Sequence, residues 1–161
     1  MGYRACEPSG PHSFSFRYRG RSSQFFRVPL LAPLVEQTAA NTFLATKITF
    51  INEIADICEK IAADVHDVAK GIGLDGRIGN KFLHPGPGYG GSCFPKDTLA
   101  FVRIARECGA PSQIIEAVVE INEKRKAQMA EKIMLAVDGT VDNKRIALLG
   151  VAFKPNTDDV R

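Results

Sequence analysis

The chain of 161 residues has no tryptophan, three histidines, and four cysteines, none in a CxxC pair or at zinc-ligand spacing. A structural zinc site is thereby excluded, and no metal is expected. No apolar run approaches the roughly 18 residues of a membrane span. The roughly 7–15-residue apolar core of a secretory signal is also missing. The opening MGYRAC puts Cys6 where a myristoylation signal needs Ser or Thr. Neither sign of charge dominates, and a net +3 from 21 basic and 18 acidic side chains points to no nucleic-acid or membrane partner. Without paired cysteines or a signal, reduced thiols in a cytoplasmic setting are expected. What is present is a hydrophobic fraction of 45%, enough for the core of one ordinary domain or for a piece of a larger protein.

Composition shifts along the chain. Residues 1–30 hold Arg4, Arg17, Arg19, Arg21 and Arg27 against one acid, Glu7, and carry six of the 13 aromatic residues. No helical or strand period emerges there. Such an Arg/aromatic segment could bind RNA, but a disordered or foreign leader over residues 1–36 is the preferred reading. From about Pro33 the text becomes periodic. Leu44, Ile48, Ile51, Ala55 and Cys58 form one apolar line at steps of three and four, and Phe43, Phe50, Ile54, Ile57 and Ile61 form a second. Two lines predict a long central helix of roughly 25 residues, buried around much of its circumference.

Asp64 predicts an N-cap for a short helix, VHDVAKGI, closed by Gly71 and Gly73. Residues 75–92 read as a loop. Asp97 is expected to cap the helix TLAFVRIAREC, and Ser112 a further helix beginning QIIEAVVEINEKRK. DGTVDN is a turn, and KRIALLGVAF a buried-strand candidate. The fold expected is therefore mainly α, a helical central domain over 37–140 built on a long helix. Residues 141–161 are expected to open an α/β domain cut after its first strand.

The loop segment GPGYGGSCFPKD carries the chemistry. Glycine is used where backbone must bend sharply or approach something closely, and Gly86, Gly88, Gly90 and Gly91 would let main-chain N–H groups converge on a ligand. Cys93 is expected a few residues before a helix start, where the helix dipole and the cation of Lys96 favour a thiolate. Asp97 could cap the helix, hold a water or take a proton. The competing reading makes Cys93 a small buried residue and Asp97 only a cap. Cys58 and Cys108, on apolar helix faces, are expected in the core.

GYGGSCFPKD, preceded by GLDGRIGNKFLHPGPG, resembles the active-site loop of the UDP-glucose/GDP-mannose dehydrogenase family, the nucleotide-sugar 6-dehydrogenases. TAANTFLATKITFINEIADICE is similar to the long helix before that loop, and INEKRKAQM and KRIALLGVAFKPNTDDVR to the helix and strand after it. The resemblance covers residues 38–161 and implies NAD-dependent, two-step oxidation of a sugar CH2OH to a carboxylate, with UDP-glucose as substrate. It implies that Cys93 is the nucleophile that captures the aldehyde as a thiohemiacetal and then carries a thioester. Asp97 would attend the hydrolytic water or the proton, and Asn41 would donate to the developing oxyanion. His84, Pro85, Gly86, Pro87, Gly88, Tyr89 and Gly90 would wrap the substrate, mostly through backbone. Arg77 would reach the nucleotide-sugar across a homodimer interface, and Lys154 the UDP side. Lys96 and Arg161 would face the cofactor.

Two features depart from the family pattern. No GxGxxG follows a strand at the start of the chain, so the family's N-terminal NAD-binding domain is expected to be absent and the isolated chain inactive. Gln37, counted as substrate-binding, stands where the family carries a catalytic lysine, four residues before Asn41. Lys47 and Asn52 fall in the matched stretch without an assigned role. A GDP-mannose or UDP-N-acetylmannosamine enzyme is the alternative within the class. Outside it stand a non-catalytic dimerisation module and a thiol redox sensor.

Overall fold

A computed structural model of the protein describes residues 4–8, 14–17, 31–147 and 149, with side chains from Val35 onward. Its elements are β1 (Arg4–Pro8), β2 (Phe14–Arg17), α1 (Leu31–Ile61), α2 (Val65–Gly73), α3 (Cys93–Glu107) and α4 (Gln113–Ala136). The fold is mainly helical, as the periodicity implies. The short strands pair antiparallel, Glu7 opposite Ser15 and Pro8 opposite Phe14, with a register shift between Arg4 and Glu7. The leader shows no alternating pattern, but a ladder is made by main-chain groups and does not require one.

α1 runs 31 residues and begins at Leu31, inside the expected leader. Pro33 falls in its first turn, where a missing N–H breaks no intrahelical bond. The helix ends at Ala62, whose φ of 56° allows Ala63 N–H to return to the Cys58 carbonyl at 3.0 Å. Asp64 then caps α2, its Oδ1 accepting from His66 N–H at 2.8 Å. Gly71 and Gly73 lie within the last turn of α2, which closes at Leu74.

α3 starts earlier than expected. Ser92 occupies its N-cap and Cys93 is its first residue, so Asp97 is one turn inside and caps nothing. Pro95 sits in the first turn, where proline is tolerated. Cys108 is the C-cap and is exposed, contrary to the core position expected of it. α4 follows Ser112 as expected, although the Ser112 side chain makes no capping hydrogen bond.

The core forms where α1, α3 and α4 meet the loop between α2 and α3. Ala45, Tyr89 and Val118 are its centre, with Ile48 and Phe94 packed against them. The buried face of α1 is more polar than its apolar lines suggest. Thr38, Thr42, Ala45, Thr49 and Asn52 are buried along it, with Ile51, Ala55 and Cys58. Thr42 and Thr46 return their hydroxyls to the carbonyls one turn back, which lets them be buried at little cost. Phe43, Phe50, Ile57 and Ile61 of the second apolar line are 49–67% exposed. Salt bridges from Arg106 to Glu116 and from Lys132 to Glu59 tie α3 to α4 and α4 to α1.

The strand candidate after the turn is not seen in its described part. Residues 144–147 and 149 are exposed and in no regular element. A buried strand needs a partner edge, and the ladder among the described residues joins β1 to β2 alone. The rest of KRIALLGVAF lies outside the described residues.

Candidate active site

α3 places Cys93 and Asp97 one turn apart, so both look out from the same face of the helix. Cys93 is exposed, with its Sγ 3.7 Å from Ser92 Oγ. Asp97 is largely covered, its side chain 13% exposed. Its Oδ2 accepts a 2.6 Å hydrogen bond from Asn41 Nδ2 on α1. Three residues separated by up to 56 positions are thereby gathered: a thiol at a helix N-terminus, a carboxylate one turn on, and an amide aimed at that carboxylate. An amide nitrogen carries two hydrogens, so Asn41 keeps one donor beyond the bond to Asp97. Lys96 is exposed and stands 3.8 Å from Asp97.

The glycine-rich loop lies beside this group and is pinned by side chains from two helices. Asn52 Oδ1 of α1 accepts from Gly86 N–H at 2.7 Å. Arg125 Nε of α4 donates to Gly86 O at 3.0 Å. Asn122 of α4 takes both main-chain groups of Tyr89, accepting from its N–H at 2.8 Å and donating to its C=O at 3.1 Å. Arg125 also donates to Asn52 O and pairs with Asp56. The Tyr89 ring is buried against Phe94, edge to face at 6.2 Å. Burial pushes its phenol above the ordinary value of 10.0, partly offset by a hydrogen bond with Thr98.

The remaining expected site residues are less gathered. Gln37 is exposed one turn before Asn41. His84, Pro87 and Gly90 are exposed, and Pro85, Gly86 and Gly88 half-buried. Gly86 and Tyr89 give their N–H groups to Asn52 and Asn122, and their carbonyls each accept one bond, from Arg125 and Asn122. Arg77 is exposed on the preceding loop, its guanidinium held by Asp75. That guanidinium keeps the Asp75 carboxyl below its ordinary 3.8. Lys47 Nζ donates to the carbonyls of Ile78 and Gly79, at 2.9 and 3.3 Å, and so fixes the segment carrying Arg77. Lys154 and Arg161 lie outside the described residues. The described residues contain no strand–turn–helix that could cradle a dinucleotide.

Sequence reasoning missed Asn122 and Arg125. The signal was present: Ile115, Val118, Asn122 and Arg125 are buried at spacings of three and four on α4, so two polar residues interrupt its inward stripe.

A long helix crossed by two others, with a thiol at a helix start beside a side-chain-pinned glycine loop, defines the class: a helical domain with an exposed cysteine next to an ordered glycine loop. The particular lineage follows from comparison. Residues 35–124 match the UDP-glucose/GDP-mannose dehydrogenase family, central domain, and the chain belongs to that family. It is 55% identical over 144 residues to a UDP-glucose 6-dehydrogenase of Rhizobium meliloti (strain 1021), covering 89% of this chain and 33% of the relative. It is 54% identical to UDP-glucose 6-dehydrogenase TuaD of Bacillus subtilis (strain 168), covering 86% and 31%. The fold superimposes on a UDP-glucose dehydrogenase from the archaeon Pyrobaculum islandicum with TM-score 0.72 and 42% identity, over 79% of this chain and 29% of that one. The chain spans about a third of the length of the curated relatives it matches.

Proposed function

We propose that this chain carries the thiol and sugar-binding part of a UDP-glucose 6-dehydrogenase, and that Cys93 captures the C6 aldehyde of the nucleotide-sugar. The Asn41–Asp97 hydrogen bond at 2.6 Å, one helical turn from Cys93, carries the reading. It supplies a nucleophile, a proton-handling carboxylate and an oxyanion donor in one place. In the capture step the Cys93 sulfur bonds to the aldehyde carbon, the C=O π pair moves to oxygen, and the thiol proton leaves to Asp97 or water. The second hydrogen of the Asn41 amide would meet the resulting oxyanion. In hydrolysis of a thioester at Cys93, Asp97 takes one proton from the water that attacks the carbonyl carbon, the C–S bond breaks, the sulfur leaves as a thiolate and takes that proton from Asp97, and the acid product loses the second proton to solvent as its carboxylate. The family's reaction uses NAD, but Lys96 is turned to solvent and no dinucleotide cradle exists among the described residues, so no hydride step is assigned to them.

The exposed line Phe43, Phe50, Ile57 and Ile61 supports a homodimer packed through α1. Such packing would carry Arg77 toward a neighbouring site. UDP-glucose is preferred over other nucleotide-sugars because the named relatives above act on it by name.

Aldehyde capture needs no cofactor, so the chain itself can be tested. UDP-glucose carrying a C6 aldehyde is expected to protect Cys93 from iodoacetamide while leaving Cys108 reactive, with peptide mass spectrometry reading each thiol. Equal labelling of Cys93 with and without the aldehyde would overturn the assignment.

A further inference from the structure

We propose that Asn52, Asn122 and Arg125 are positioning residues, which occupy all four main-chain polar groups of Gly86 and Tyr89 and so set the shape of the loop before a ligand arrives. Residues 84–90 make no hydrogen-bonded turn and no main-chain to main-chain hydrogen bond of their own. A glycine- and proline-rich segment without such bonds has no internal reason to hold one shape. Its order comes from outside. Asn52 and Arg125 grip one end, at 2.7 and 3.0 Å, and Asn122 grips the other, at 2.8 and 3.1 Å. All three side chains belong to helices that are themselves packed together, and Asn52, Asn122 and Arg125 are 2–6% exposed. Arg125 is in turn oriented by Asp56 and by the Asn52 carbonyl.

The residue between the two grips is fitted to them. Gly88 has φ 119°, and a Cβ on it would stand 2.8 Å from Asn122 Oδ1. Only a residue without a side chain lets the amide come close enough to bond both groups of Tyr89. The Tyr89 ring then abuts Phe94, the neighbour of Cys93. Holding Tyr89 therefore also sets where the loop stands against the start of α3. None of the three residues faces the thiol by any contact in the structure, so they act through the loop. A rigid loop presented in advance lowers the ordering cost of binding.

The inference rests on the function proposed above, and its experiment separates the two. Amide hydrogen exchange of the full chain, read by NMR without ligand, tests the grip. Asn122→Ala is expected to speed exchange at Tyr89 about tenfold or more while Gly86 changes little, and Asn52→Ala to do the reverse. Asn122→Asp retains an acceptor and should keep Tyr89 N–H slower than Asn122→Ala does. In both alanine variants, Val118 and Ala45 should exchange as in the parent. Unchanged exchange at both loop amides overturns the proposal. So does a uniform rise across α1 and α4, which would mark a purely structural role. The aldehyde-capture rate at Cys93 should fall about tenfold in Asn122→Ala, with Cys108 labelling unchanged. If the parent chain captures no aldehyde, the functional reading fails, while the exchange pattern still decides the grip.

Discussion

Gly88 and Asn122 are matched so closely that a methyl group on the glycine would meet the amide oxygen at 2.8 Å. The contact joins a loop residue to a helix residue 34 positions later, and each is needed in its present form for the other to sit where it does. Gly88→Ala should therefore destabilise the chain by about 1–3 kcal/mol, since it adds both a clash and an L-residue at positive φ. Gly90→Ala is the control: nothing lies within 4 Å of its Cβ position and its φ is not positive. That change should be neutral or stabilising by up to about 1 kcal/mol. Urea denaturation of the two variants measures the difference, and equal midpoints would show that the fit is loose.

The thiols should separate by reactivity. Cys93 and Cys108 are exposed and Cys58 is 4% exposed. In the native chain iodoacetamide should modify the first two and spare Cys58 until urea unfolds the protein. Cys58→Ala should cost about 1 kcal/mol through loss of a small buried group, whereas Cys93→Ala should leave the denaturation midpoint in place. Native labelling of Cys58 would show that the α1 face opens more readily than its burial implies.

Arg125→Ala should be among the most damaging single changes. It strips donors from Gly86 O and Asn52 O and leaves Asp56 without its nearest cation. Breaking a buried pair by removing one partner costs about 3–5 kcal/mol; because Asp56 stays 39% exposed and keeps Lys132, about 2–3 kcal/mol is expected. Arg125→Lys should recover little, since an ammonium cannot reproduce the fork that reaches three oxygens. Full recovery with lysine would reduce the role of Arg125 to charge alone.

Acid should loosen the α3–α4 junction. The Arg106 guanidinium holds the Glu116 carboxyl below its ordinary 4.5. A lowered carboxyl adds stability above the unfolded value and loses it as pH falls through the folded one. The Arg106–Glu116 link is therefore present at neutral pH, begins to weaken below about pH 4.5 and vanishes below the folded value. NMR titration of the Glu116 carboxyl checks it: a midpoint at or above 4.5 would show that the pair does not form in solution. The contribution is expected to shrink with added salt, as for any surface pair.

Self-association should follow from α1. Phe43 and Phe50 are 65% and 49% exposed, in line with the exposed Ile57 and Ile61 on the same helix. Sedimentation at micromolar concentration should give a dimer, and Phe43→Glu with Phe50→Glu a monomer of unchanged helicity. A folded monomer in the parent would remove the argument for a partner on this face.

The helices were legible because their signals are local. The threes and fours of α1, the Asp64 cap and the Ser112 start all act within a turn or two, and all three stand in the structure. The start of α3 was misjudged because Asp97 has the chemistry of a cap, yet its carboxylate is spent on Asn41, 56 residues away. The expectation that both apolar lines of α1 are buried failed for a related reason, since Phe43, Phe50, Ile57 and Ile61 of the second line are exposed. The inward face is chosen by what crosses it: Thr38, Thr42, Thr49 and Asn52 line the core, with the Thr42 hydroxyl returned to its own helix and Asn52 bonded to the loop, while the buried Thr49 hydroxyl has no hydrogen-bond partner among the described residues. Residue types drew attention to the thiol and its glycine loop but left Cys93 open between a nucleophile and a small buried residue; the grip on the loop was not legible at all, since Asn122 and Arg125 have no mark of their own except being polar where the stripe is apolar.

The instructions for the shape of the loop are thus stored in α1 and α4, outside the segment that adopts it. A synthetic peptide of residues 80–95 would contain the thiol with Gly86, Gly88, Gly90 and Gly91 yet wander among conformations, and grafting it onto another helical scaffold would transplant the letters without the template. Randomising the loop to seek a different ligand would explore few new geometries, because the same three side chains would keep folding each variant back to the same outline. A broader search would have to begin on the helices, at positions 52, 122 and 125.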